Sequence, residues 1–101
     1  MFQKWFQHYR PEALVTCWLD VIPALQKIGA NVPDDAGVVH NWIPEGSSLS
    51  GVRQDFRTIG AAGLDLLDLL LRGHEKGYPS EAKTMLIRGT WVEGTTVRPY
   101  P

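Results

Sequence analysis

The stretch Ser50–Gly73, SGVRQDFRTIGAAGLDLLDLLLRG, decides how the chain is read. It opens on a polar segment with two arginines, Arg53 and Arg57, and runs into a helix with very little polar surface. Asp55 is placed to cap that helix, which spans about Phe56 to Arg72 and stops at Gly73. Ile59, Gly63, Leu66, Leu67 and Leu70 make one apolar face, while Leu64, Leu69 and Leu71 point elsewhere. Only Asp65, Asp68 and Arg72 are left to meet water, with Asp68 and Arg72 paired at i, i+4. A helix of this composition expects neighbours on more than one side. Gly60 and Gly63 each cost about 1 kcal/mol against alanine in a helix, so their expected use is to let another backbone approach.

Working outward, the segments alternate in type. Phe2, Trp5, Phe6 and Tyr9 fall at i, i+3, i+4 and i+7, one face of a short helix that Pro11 ends. The run Ala13–Leu19 is apolar and partly β-branched, the pattern of a buried strand. A second short helix follows, with Asp20 near its start, Pro23 in its first turn and Gly29 as a left-handed cap. VVHNWI, beginning at Val38, is the next strand, and PEGSSLSG, Pro44–Gly51, reads as a loop. Beyond the long helix, TMLIRGTWVEGTTV reads as a strand or a strand pair broken at Gly89. Strand, helix, strand, helix, strand is the alternation of an α/β domain with a largely parallel sheet flanked by helices.

Length and composition bound the function. With 101 residues the chain supports a single domain, residues 1–101, with a modest core. A net charge of −1, with basic residues scattered, gives no electrostatic case for binding nucleic acid or an anionic membrane. No run is long enough to span a bilayer and the first residues lack a secretory signal, so the expectation is a cytoplasmic protein. One cysteine, Cys17, excludes an internal disulfide, and its place in an apolar run predicts a buried, inert thiol.

No set of residues points to catalysis. His8, His40 and His74 are far apart in sequence, without metal-ligand spacing. Asp34 and Asp35, between Pro33 and Gly37, read as turn residues whose carboxylates hold nearby backbone N–H groups. GAAG, Gly60–Gly63, lies inside a helix pattern and is no phosphate loop. The chain is therefore read as a non-enzyme without a cofactor. Trp18, Trp42 and Trp91 stand at or near strand ends, where an open α/β sheet binds ligands.

The order of these pieces resembles the lactose/galactose-repressor (LacI/GalR) family of transcription regulators. VRQDFRTIG at Val52–Gly60 carries most of the resemblance and GANVPDDAGVV at Gly29–Val39 the next share, supported by Asp20 and by Leu66, Leu67 and Leu70. The similarity runs from about Arg10 to Val97 and corresponds to the C-terminal part of the family's effector-binding domain. It implies one lobe plus the crossover helix of a type I periplasmic-binding-protein-like fold. SGVRQD would cross between lobes, with the long helix packing on the other lobe and the last strand returning.

The resemblance further implies a small-molecule effector of the sugar or nucleobase class, a homodimer, and DNA contact only through a helix-turn-helix domain absent from this chain. It places Asp20, Asn41 or Trp42, and Gln54 along the effector cleft; strand-end position adds Trp18 and His40. The family usually has Asn-Asp where this chain has Leu19-Asp20, and Gly-aromatic-Asp where it has His40-Asn41-Trp42. Two further readings are a structural, self-assembling module without ligand and part of a transport-associated sugar-binding protein.

Overall fold

A computed structural model describes residues 1–100. The elements are α1 (Phe2–Tyr9), β1 (Ala13–Thr16), α2 (Val21–Lys27), β2 (Gly37–His40), β3 (Ser50–Arg53), α3 (Phe56–Arg72) and β4 (Thr90–Val92). The strands form one sheet in the order β1-β2-β3-β4, with the first three parallel and β4 antiparallel to β3. The chain is thus α/β with a mostly parallel, open, four-stranded sheet. It divides into two compact units, one made of Met1–Arg53 and the segment from Thr90 onward, the other of Gln54–Gly89.

In the first unit, the strand register explains the burial. Leu14 pairs with Val38 and Thr16 with His40, so these four share a face. Val38 and His40 are fully buried there, under a cluster of Phe6 from α1, Val21 and Leu25 from α2, Ala30 and Ala36. Both helices therefore pack on the same side of the sheet. On the opposite side Val15, paired with Val39, is 76% exposed.

The helix ends follow the sequence closely. α1 stops at Tyr9, and Arg10 before Pro11 takes a left-handed conformation whose N–H bonds Phe6 O at 2.8 Å. Gly29 adopts φ +79, the left-handed glycine expected after α2. Asp35 accepts the Asn31 N–H at 2.7 Å, as its turn position predicts.

Four strand expectations need correction. β2 ends at His40, so Asn41, Trp42 and Ile43 of the expected strand VVHNWI lie beyond it. β1 ends at Thr16 rather than Leu19, because the Thr16 hydroxyl accepts the Trp18 N–H at 2.9 Å and turns the chain out of the ladder. Cys17, just past that end, is exposed and not buried. The expected loop Pro44–Gly51 ends inside a strand: Ser50 and Gly51 begin β3, which is short and carries no apolar run. Of TMLIRGTWVEGTTV only Thr90–Val92 is strand, since Thr84–Gly89 has no neighbouring strand to pair with among the described residues.

The segment after β4 returns along the sheet and is tied in by backbone bonds and by side-chain hydroxyls. Thr95 N–H bonds Ser48 O at 2.9 Å, Val38 N–H bonds Thr96 O at 2.7 Å, and Gly94 N–H bonds the Ser50 hydroxyl at 3.2 Å. The Thr96 hydroxyl accepts from Ser50 N–H and donates to Val38 O, bridging β2 and β3. The Arg98 guanidinium donates to the Asp34 carbonyl.

In the second unit, α3 has the bounds the sequence predicts, and Asp55 caps it by accepting the Thr58 N–H at 2.9 Å. Arg72 and Asp68 pair at 2.9 Å in an exposed i, i+4 bridge. No residue of α3 is buried, so the expected cover on two sides is absent among the described residues. Gly60 and Gly63 face open space rather than a close backbone.

Candidate functional site

The carboxyl ends of β1 and β2 lie side by side because the strands are parallel and in register, Thr16 opposite His40. The Asn41 N–H bonds Thr16 O at 3.0 Å, which fixes the two exits together. Five of the residues singled out from the sequence stand here: Trp18 and Asp20 in the turn between β1 and α2, His40 as the last residue of β2, and Asn41 and Trp42 just after it. Gln54 is exposed and begins the second unit, one residue beyond β3.

Trp18 is held at its backbone and its ring. Its N–H is taken by the Thr16 hydroxyl, and its carbonyl accepts from the Val21 N–H and from His40 Nε2, each at 3.3 Å. A carbonyl only accepts, so His40 Nε2 carries a proton. Its indole meets the Phe2 ring at a centroid distance of 5.5 Å and an interplanar angle of 85°, an edge-to-face contact. Trp18 nevertheless remains 45% exposed.

His40 supports this arrangement from beneath. It is fully buried, and Nδ1 has no hydrogen-bond partner among the described residues. The imidazole therefore presents nothing to solvent; it anchors the turn that carries Trp18. Asn41 is exposed, and Trp42 is half-buried.

Two aspartates stand at helix N-caps and behave differently. Asp55 is committed: its carboxylate takes the Thr58 N–H and, at 2.6 Å, the Thr58 hydroxyl. Those bonds from Thr58, side chain first, hold its pKa below the ordinary value of 3.8, with a smaller contribution from Arg57. Asp20 sits at the N-cap of α2, yet its side chain makes no capping bond and is exposed. This carboxylate, two residues after Trp18 in the chain, is thus left available for hydroxyl or amide donors.

Two hollows lie at the other end of the strands. One of about 320 Å³ is lined by Phe6, Arg10, Ile28, Ala30 and Asp35, and one of about 500 Å³ by Glu12, Asp34, Asp35, Val97 and Arg98. Neither includes a residue of the set above. No cluster of histidine, cysteine, aspartate and glutamate able to hold a metal ion occurs among the described residues. No helix among them is long and apolar enough to cross a membrane.

Sequence reasoning reached the strand-end residues but missed Phe2 and Thr16, which hold Trp18. Phe2 was legible as part of an aromatic helix face, though not its partner across the fold. Comparison with family models, curated proteins and solved structures finds no match.

Proposed function

We propose that the chain is the ligand-sensing part of a LacI/GalR-like transcription regulator, taking a sugar-type effector. The observation that carries this reading is the grouping of Trp18, Asp20 and Asn41 at the carboxyl ends of adjacent parallel strands, where α/β sheets bind small ligands. Asp20 orients ligand hydroxyls through its uncommitted carboxylate, Asn41 adds amide hydrogen bonds, and Trp18 and Trp42 supply apolar wall. His40 holds the Trp18 turn in place.

In this reading the effector shifts the population between two arrangements of a cytoplasmic homodimer. DNA is read by a helix-turn-helix outside the described elements. Thermal unfolding followed by tryptophan fluorescence, with and without pooled sugars and nucleobases, tests the proposal. A midpoint raised by the sugars, and no longer raised in Asp20→Ala or Asn41→Ala, supports it; a midpoint indifferent to every pool overturns it.

A second reading, a self-assembling module, draws on α3. Leu64, Leu67 and Leu71 are 68%, 51% and 62% exposed and recur at three- and four-residue spacing. Sedimentation equilibrium decides it: a mass that rises with concentration and falls back in Leu64→Glu supports assembly, and a monomer at all concentrations rejects it.

A further inference from the structure

We propose that Phe2 is a positioning residue for the candidate site, fixing the indole surface that Trp18 offers to the apolar face of a pyranose ring. The inference rests on the sensing role above and extends it to α1, an element to which that role assigns nothing. Contacts of three kinds constrain Trp18: the Thr16 hydroxyl on its N–H, the Val21 N–H and His40 on its carbonyl, and the Phe2 ring on its indole. The first two set the backbone. The Phe2 ring acts on the indole itself, which is 45% exposed.

Phe2 is itself well placed to be rigid. It stacks on Trp5 at 6.0 Å, meets Phe6 at 6.1 Å, and packs against the buried cluster. Phe6 is buried in that cluster, so the chain of rings runs from the core through Phe2 to Trp18. A half-exposed indole held this way is pre-organised, and the ordering cost is met in folding rather than at binding.

The surroundings select the ligand class. Near the indole in sequence stands the uncommitted carboxylate of Asp20, and at the adjoining strand end the exposed amide of Asn41. A flat apolar surface on the same strand ends as an acceptor and a donor–acceptor suits a ring with C–H groups on its faces and hydroxyls on its rim.

The test follows the Trp18 indole N–H by two-dimensional NMR in the full chain, assigned with Trp18→Phe. D-glucose, D-galactose and D-mannose are titrated separately, with adenine as the contrasting ligand. The expected result is a shift of that signal by at least one sugar, with Phe2→Leu moving the signal before any ligand is added and weakening sugar affinity about tenfold. Thermal midpoints of both proteins accompany the titrations.

If Phe2→Leu lowers the midpoint but leaves sugar affinity intact, Phe2 is only structural and the inference fails. If adenine alone shifts Trp18, the pyranose assignment fails. If sugars shift the Asn41 signals and not the indole, the inference fails while the sensing role stands; if no signal moves with any ligand, both fall.

Discussion

Thr96 donates its hydroxyl to the carbonyl of Val38 at 2.6 Å, across a sequence separation of 58 residues, with both residues buried. The same oxygen accepts the Ser50 N–H, so one side chain satisfies a carbonyl of β2 and an amide of β3. Thr96→Val keeps the shape and strands both groups. The expected loss is about 1–3 kcal/mol in urea unfolding, with Thr96→Ser much closer to the parent.

Gly51 is a different kind of constraint. A Cβ at this position would overlap the backbone carbonyl of His40, its partner in the β2–β3 ladder. Gly51→Ala is expected to cost at least about 1–3 kcal/mol by overpacking, because backbone on a paired strand cannot yield as a side chain can. Gly60→Ala, facing open space inside α3, should instead stabilise by about 1 kcal/mol. Paired thermal melts separate the two.

The two faces of the sheet should respond unequally to substitution. Leu25 is fully buried beneath the sheet, and Leu25→Ala is expected to cost about 2–5 kcal/mol. Val15 is 76% exposed on the other face, and Val15→Thr should change stability by less than about 0.5 kcal/mol. Denaturant midpoints of the two variants check this.

The α3 cap carries a pH signature. The folded pKa of Asp55 lies below 3.8, so its stabilising contribution is present in full well above that value and is lost as pH falls below it. Helicity by circular dichroism should therefore fall more on acidification in the parent than in Asp55→Ala. The difference between the two profiles isolates this carboxylate from Asp65 and Asp68.

Much of the fold was legible because local chemistry and tertiary packing agree. The Asp55 cap of α3, the Gly29 turn after α2 and the apolar spacing of α1 each name an element or one of its ends. β3 was not legible, since SGVR has neither an apolar run nor alternation; only its neighbours β2 and β4 make it a strand. Cys17 was misplaced for a related reason. Composition extends β1 through it to Leu19, whereas the Trp18 N–H donated to the Thr16 hydroxyl ends the strand at Thr16. At the candidate site, strand-end position found Trp18 and Asp20, but that Asp20 does not cap its helix while Asp55 does is written only in three dimensions.

The pairing of Arg53 with Thr90 places the two ends of the Gln54–Gly89 segment on facing residues of an antiparallel ladder. Such an exit and re-entry is a natural splice point. Excising the segment and joining the strands through an Asn-Gly turn would convert β3 and β4 into an ordinary hairpin without altering their register. The sheet unit thus amounts to a small self-contained scaffold, and what lies between Arg53 and Thr90 is a cassette that can be exchanged.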